Sequence, residues 1–116
     1  MPDPRRVFGD AGERLVADAL AARGLRIVAR NVRTSDGELD LIARDRRGYL
    51  FVEVKTRHAG SFVSAAEAVD RRKLDRIRRL ALGWLARQGH PAGSLRVVVA
   101  AVTVGERTTV ELIDAD

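Results

Sequence analysis

The sequence predicts a three-layer α/β sandwich around a mixed β-sheet. Its 116 residues suffice for one hydrophobic core. Two stretches with helical spacing of apolar residues flank three short strand-like segments. A predominantly apolar run at residues 95–104, typical of a buried central strand, follows the second helix. The predicted order is therefore α-β-β-β-α-β-β, with helices on both faces of the sheet.

The first helix is predicted at about residues 10–23. Asp10-Ala-Gly-Glu13 has the spacing of a capping box, and Gly24 suits a helix end. Apolar residues recur between them at helical spacing. Residues 1–8 are predicted to be a flexible arm, and residues 9–116 a single domain.

Three strands and a helix should follow. The strands are predicted at residues 25–30, 38–44 and 49–56, with a turn at 31–37 rich in Asn, Ser, Asp and Gly. Asp45-Arg-Arg-Gly48 is a hairpin signal between the last two. Residues 57–64 form a loop in this prediction, and an amphipathic helix spans 65–88, with Trp84 on its apolar stripe. The final strands are predicted at 95–104 and 108–113.

Composition narrows the function classes. The net charge of +5 and pI of about 10.9 favour a polyanionic partner such as nucleic acid. Only Lys55 and Lys73 are lysines among the 21 basic residues, so genome composition is an alternative source of the arginine bias. An aromatic content of 4% argues against a base-stacking platform. The absence of cysteine excludes disulfides and thiolate zinc sites. With no signal-peptide or membrane-spanning pattern, we expect a soluble, cytoplasmic protein.

The most informative residues lie on the two predicted hairpin strands. Side chains two apart on a strand share a face, so Glu53 points with Lys55, and Glu38 with Asp40. The intervening Leu39, Leu41, Val52 and Val54 should face a helix on the other side. If the register aligns the strands, Asp40 comes close to Glu53 and Lys55. Carboxylates among apolar neighbours need a partner, and Mg²⁺ or Mn²⁺ fits oxygen ligands of this kind.

Such a cluster suits hydrolysis of a phosphodiester bond. A lysine beside two acids can position a water and offset charge in the transition state. Glu13 could join from the first helix. The alternative is a cross-strand salt-bridge ladder on a solvated sheet face, although the apolar flanks argue against it. His58 and His90 fall in loops and are interpreted as surface residues. No glycine pattern predicts a phosphate-binding loop, and no serine has a base at a recognisable spacing.

The basic residues near this cluster are candidate phosphate contacts. The predicted nucleic-acid-binding residues are Arg57, Arg71, Arg72, Lys73 and Arg76. All but Arg57 lie on the second helix, together with Arg79. An ordinary solvated helix face is the alternative interpretation.

Five segments resemble the bacterial YraN family, and the similarity runs from Gly12 to about Val104. That family is regarded as a group of endonucleases in the PD-(D/E)XK restriction-endonuclease-like superfamily, related to archaeal Holliday-junction resolvases. The segments are Gly12-Glu13, Asn31-Val-Arg33, Gly37-Glu-Leu-Asp-Leu-Ile-Ala43, Phe51-Val-Glu-Val-Lys-Thr-Arg57 and Lys73. The resemblance implies a restriction-endonuclease-like version of the predicted sandwich.

The resemblance also implies roles for individual residues. Asp40 and Glu53 would be ligands of Mg²⁺ or Mn²⁺, with the Val54 carbonyl as a third. Lys55 would be the catalytic lysine. Glu13 would match the first-helix acid of the resolvases and would be both a catalytic residue and a metal ligand. Glu38 belongs to the family motif and would support the site. Leu39 replaces the proline for which the superfamily is named.

The expected function is therefore that of a metal-dependent, structure-selective DNA endonuclease, acting on branched, Holliday-junction-like DNA. Cutting both strands of a symmetric junction would call for a two-fold dimer. Two alternatives stay open. One is a nucleic-acid-binding module of the same fold that does not cut, and the other is a protein-interaction domain in which the charged cluster is structural.

Overall fold

The computed structural model describes residues 3–61, 70–89 and 95–115. The helices and strands follow the predicted order. They are α1 (Pro4–Ala22), β1 (Arg26–Thr34), β2 (Gly37–Asp45), β3 (Gly48–His58), α2 (Arg71–Arg87), β4 (Leu95–Val104) and β5 (Thr109–Asp114). No helix in these ranges has the length and apolarity needed to cross a membrane.

The five strands form one mixed sheet in the order β1-β2-β3-β4-β5. Neighbouring strands are antiparallel except β3 and β4, which are parallel. A parallel pair needs a long crossover, and α2 lies in the connection between these two strands. The predicted α/β class and mixed sheet are confirmed.

Two hydrophobic cores lie on opposite faces of the sheet. On one face, Val16 and Leu20 of α1 pack against Leu41, Val52 and neighbouring residues. On the other face, α2 packs against the sheet around Phe51, and Trp84 is buried there as predicted. Among the residues that the structure describes, each face carries one helix, which makes three layers.

The first helix is longer than predicted. It begins at Pro4, and the side chain of Asp3 caps it by accepting a hydrogen bond from the Arg5 N–H at 3.0 Å. A proline in the first turn needs no hydrogen-bond partner for its nitrogen, so Asp3-Pro4 supplies an earlier start than the capping box at Asp10. Residues 4–8, predicted as a loose arm, are therefore helical.

Other boundaries also differ from the prediction. β3 continues through His58, so Arg57 and His58, predicted to lie in a loop, are on a strand. β1 continues through Thr34, so the turn comprises only Ser35-Asp36 rather than residues 31–37. α2 begins at Arg71, because Asp70 has an extended backbone and caps the Arg72 N–H. The predicted helical residues 65–69 and His90 lie outside the described residues.

β1 loses its alternation of faces at Asn31. This residue has a left-handed backbone, with φ of 49°. Ala29 and Val32 both pack on the α2 side although they are three residues apart. A regular strand would place them on opposite faces.

β2 shows the matching irregularity beside it. Leu39 and Ile42 pack on the α2 side, whereas Leu41 packs on the α1 side. The prediction that Leu39 and Leu41 share a face is wrong, because the paired strand β1 changes face at the same level. Asp40 lies at this break.

Candidate functional site

Asp40 lies where β2 separates from β3. The backbone pairing of these strands runs from the hairpin only as far as Leu41 and Val52. Beyond it, Asp40 Oδ2 accepts a hydrogen bond from the Val54 N–H at 2.8 Å. A carboxylate thus replaces a main-chain acceptor, which satisfies a backbone donor and fixes the side chain of Asp40 at the separation point.

Asp40 and Glu53 face each other across this separation. Continuing the register places them opposite one another, on the face that the hairpin pattern predicts. Burial, followed by the negative charge of Glu53, raises the pKa of Asp40 to about 7. Two carboxylates held this close favour either a shared proton or a cation between them.

Glu53 is buried and contacts two lysines. Its side chain is 11% exposed. Lys73 of α2 places Nζ 2.9 Å from Glu53 Oε1, and Lys55 places its Nζ 3.6 Å from the same oxygen. The proximity of Asp40, Glu53 and Lys55 follows the prediction. Lys73, which was predicted to contact nucleic acid, lies in the first turn of α2 and forms an ion pair with Glu53.

The two lysines have opposite pKa shifts. Burial and the neighbouring Lys73 lower the pKa of Lys55. Burial alone would lower the pKa of Lys73 as well, but its hydrogen bonds to Lys55 and Glu53 and the charge of Glu53 outweigh burial and raise it. Lys55 is thus the lysine that more readily releases its proton, and its side chain is 43% exposed.

Glu13 reaches the other side of the site from α1. Gly12 precedes it at a close approach to β3, where a Cβ on Gly12 would collide with Thr56 Oγ1. With its side-chain amide turned so that the nitrogen faces the two acids, Asn31 donates to Glu13 Oε2 at 3.1 Å and to Glu38 Oε1 at 3.2 Å. Burial and the charges of Asp10 and Glu38 raise the pKa of Glu13. Asn31 therefore holds two carboxylates at the end of the acidic cluster.

A cleft of about 660 Å³ opens between α1 and strands β1 and β2. Its size is within the range of ligand-binding clefts. Four acids line it: Asp10, Glu13, Glu38 and Asp40. The break in β2 lets Asp40 contact both this cleft and Glu53.

The acids fit a divalent cation only in part. Within residues 3–61, 70–89 and 95–115, no three acidic or histidine side chains are grouped closely enough to hold a metal ion together. Asp40, Glu53 and Glu13 therefore do not form one such group, although the charge of Glu13 acts on both Asp40 and Glu53. Mg²⁺ usually takes one or two carboxylates and completes its shell with water and phosphate oxygens. The mutual repulsion of Asp40 and Glu53 and their hard oxygen atoms fit such an ion.

The other residues predicted to bind nucleic acid do not line the cleft between α1 and strands β1 and β2. Arg71, Arg72 and Arg76 are exposed on α2. Arg57 is half-buried, and its Nε donates to Thr103 Oγ1 on β4 at 3.3 Å. His58 is exposed and stacks on the ring of Phe8, with 4.3 Å between centroids.

Sequence reasoning gave no site role to Asn31 or Gly12, although both lie in the segments that carry the family resemblance. A signal for Asn31 is its residue type, because asparagine tolerates the left-handed backbone far better than a β-branched or bulky residue. A signal for Gly12 is a glycine in the middle of a helical pattern, where it is unfavourable without a packing reason.

Comparison with known proteins places this arrangement in a family. The sequence pattern described as "Uncharacterised protein family UPF0102" matches residues 12–102. Proteins named UPF0102 from three bacteria are similar over most of their length. That of Mycolicibacterium vanbaalenii is 44% identical, covering 95% of this chain and 91% of the relative. That of Nocardia farcinica is 48% identical (96% and 89%), and that of Beutenbergia cavernae is 51% identical (82% and 80%).

Among solved structures, Pyrococcus furiosus SfsA in complex with Ca²⁺ is similar, with a TM-score of 0.41 and 18% identity over 95% of this chain and 62% of that one. This likeness is too distant to bear on function. The family match covers most of the chain and confirms the resemblance seen in the motifs. The chain belongs to the UPF0102 (YraN) family.

Proposed function

We propose that the protein is a Mg²⁺- or Mn²⁺-dependent DNA endonuclease that selects its substrate by structure and hydrolyses phosphodiester bonds, with branched DNA as the expected substrate. The observation that carries the proposal is the apposition of Asp40 and Glu53 where β2 leaves β3, with Lys55 beside them. Buried acids in this relation are costly for the fold and suit a phosphoryl-transfer site.

The chemistry divides among a few groups. A bound divalent cation would polarise the phosphate and lower the pKa of a water molecule. Asp40 and Glu53 would hold that ion, with the Val54 carbonyl as a third donor. Lys55, half-exposed and with a lowered pKa, would orient the attacking water or stabilise charge on the phosphate. Glu13 and Glu38, linked by Asn31, would order the solvent side of the site.

The preference for DNA rests on charge and on the resemblance to resolvases. A basic chain with few aromatic residues suits backbone contacts, which recognise shape rather than sequence. Paired cuts in a symmetric junction would require two copies related by a two-fold axis.

A second candidate function is nucleic-acid binding without cleavage. The observation that favours it is the close contact of Lys73 with Glu53, because a carboxylate neutralised within the protein needs no cation. In this case the cluster would stabilise the fold, and the arginines would supply affinity.

A cleavage panel separates the two candidates. Linear duplex, single strand, flap and four-way junction would be incubated with Mn²⁺ or Mg²⁺, and Mn²⁺ binding would be measured by calorimetry. We expect wild type to cut at least one substrate, Glu53→Gln to lose cutting and Mn²⁺ binding, and Lys55→Ala to lose cutting alone. No cleavage of any substrate with either ion would favour the binding module.

A further inference from the structure

Arg30 and Arg33 both line the cleft beside Asp40. Three residues apart on a regular strand, they would point to opposite faces of the sheet. The left-handed backbone of Asn31 between them reverses the alternation, so both reach the α1 side. The same residue that holds Glu13 and Glu38 therefore also brings two arginines to one cleft.

α1 supplies two further arginines from the opposite wall. Arg6 and Arg14 line the cleft, and all four arginines are exposed. In the part of the chain that the structure describes, none of the four forms an ion pair. Their guanidinium groups are thus available to a ligand, and the pairing that arginine forms best with an anion is a bidentate one with phosphate or carboxylate.

Two of the four acids lie deeper in the cleft than the arginines. Glu13 and Asp40 are partly buried, whereas Asp10, Glu38 and the four arginines are exposed. No aromatic side chain lines it among the described residues, so it offers nothing for base stacking. A ligand with regularly spaced phosphates would meet the arginines first and bring one phosphate to the acids.

We propose that Arg6, Arg14, Arg30 and Arg33 form an arginine rim that binds successive phosphates of one DNA strand and leads that strand across Asp40. This inference deepens the proposed function and rests on it for the identity of the polyanion. It moves the main DNA contact from α2, where the sequence predicted it, to the cleft between α1 and β1.

The α2 side is the weaker surface for this role. The groove lined by Arg72, Lys73, Arg76, Arg79 and Asp70 is smaller, at about 380 Å³. Its lysine is already engaged with Glu53. The cleft on the α1 side is larger, and Asp40 forms part of its lining.

The test compares two double variants that lose the same charge. Arg30→Ala/Arg33→Ala removes half of the arginine rim. Arg23→Ala/Arg26→Ala removes two exposed arginines near the other end of β1, outside the cleft. Binding of a short fluorescein-labelled DNA duplex to the full chain would be followed by anisotropy in EDTA over a series of salt concentrations, with circular dichroism as a check on folding.

We expect the rim variant to bind roughly tenfold or more weakly and to lower the salt slope by about two, as the loss of two phosphate contacts requires. The control variant should stay within about twofold of wild type. The inference is overturned if the rim variant binds like wild type, if both variants weaken binding equally, or if wild type binds no DNA.

These outcomes are independent of cleavage. Binding that depends on the rim without cutting by wild type would support the inference and remove the endonuclease proposal. If wild type cuts DNA but the rim variant binds as tightly as wild type, the endonuclease proposal would be supported and the arginine rim would be rejected.

Discussion

Lys73 contacts Glu53 more closely than Lys55 does, although Lys55 is only two residues from Glu53 on the same strand. The Nζ–Oε1 distances are 2.9 Å and 3.6 Å. The Lys73 side chain is also the less exposed of the two, at 24% against 43%. The nearer lysine therefore neutralises more of the charge of the buried acid, and Lys55 is the more exposed of the two.

This difference predicts that replacing Lys73 lowers the free energy of unfolding more than replacing Lys55 does. Lys73→Met leaves a buried carboxylate beside Asp40 with only a longer, more exposed ion pair. We expect it to lower the free energy of unfolding at pH 7 by about 1–3 kcal/mol, and Lys55→Met by less than about 1 kcal/mol. Urea unfolding followed by circular dichroism measures both. In a Glu53→Gln background the difference should disappear, and equal losses in the wild-type background would contradict the prediction.

The same contact predicts competition between Lys73 and a metal ion. If Glu53 is a metal ligand, Lys73 must give up its contact before or during binding. We therefore expect Lys73→Met to bind Mn²⁺ about three- to tenfold more tightly than wild type, which corresponds to about 0.7–1.4 kcal/mol. Calorimetry at pH 7 measures the change, with Lys55→Met as the matched control. Weaker binding by Lys73→Met would show that Lys73 supports the metal site.

The raised pKa of Asp40 predicts that the free energy of unfolding depends on pH in the absence of divalent ions. Its pKa is about 7 in the fold and 3.8 as the ordinary value. Between these values the folded chain binds more protons than the unfolded chain, so this group's contribution to the free energy of unfolding falls as pH rises and levels off at about pH 8. Asp40→Asn stays uncharged and keeps an oxygen for the Val54 N–H.

We therefore expect Asp40→Asn to be more stable than wild type by roughly 2–4 kcal/mol at about pH 8 and nearly equal to it at about pH 4. Urea unfolding in EDTA at the two pH values provides the comparison. Asp18→Asn, on the exposed surface of α1, controls for losing one negative charge from a basic protein. A stability difference that is the same at both pH values would refute the raised pKa of Asp40.

The proximity of Asp40, Glu53 and Lys55 on β2 and β3 could be predicted from the sequence because it depends only on local rules. Alternation places Glu53 with Lys55, and the two-residue turn at Arg46-Arg47 fixes the register that brings Asp40 opposite Glu53. Neither step requires knowledge of contacts far along the chain.

The arrangement of side chains around Asn31 and the contact of Lys73 with Glu53 could not be predicted in this way. Asn31 has a left-handed backbone, which the regular alternation of a strand does not include. Because of it, Arg30 and Arg33 lie on the same face of the sheet, and Leu39 on the paired strand lies on the opposite face from Leu41. The contact of Lys73 with Glu53 depends on where α2 begins, and Asp70 sets that start. Both are tertiary outcomes that override the periodicity on which the prediction relied.

Gly12 allows a last prediction, because it sets how closely α1 approaches β3. A Cβ there would collide with Thr56 Oγ1, a buried hydroxyl without a hydrogen-bond partner among the described residues. We expect Gly12→Ala to lower the free energy of unfolding by about 1–3 kcal/mol through overpacking. Gly9→Ala on the same helix meets nothing within 4 Å and should instead stabilise by up to about 1 kcal/mol, through helix propensity.

A second substitution shows whether the collision is the cause. Thr56→Ala removes the hydroxyl and leaves a carbon 3.1 Å from the added Cβ, so Gly12→Ala/Thr56→Ala should recover much of the loss measured by urea unfolding. If it recovers nothing, the cost of Gly12→Ala arises elsewhere. Because Glu13 is the next residue, the single variant should also shift the Asn31 side-chain amide resonances in NMR spectra, whereas Gly9→Ala should leave them in place.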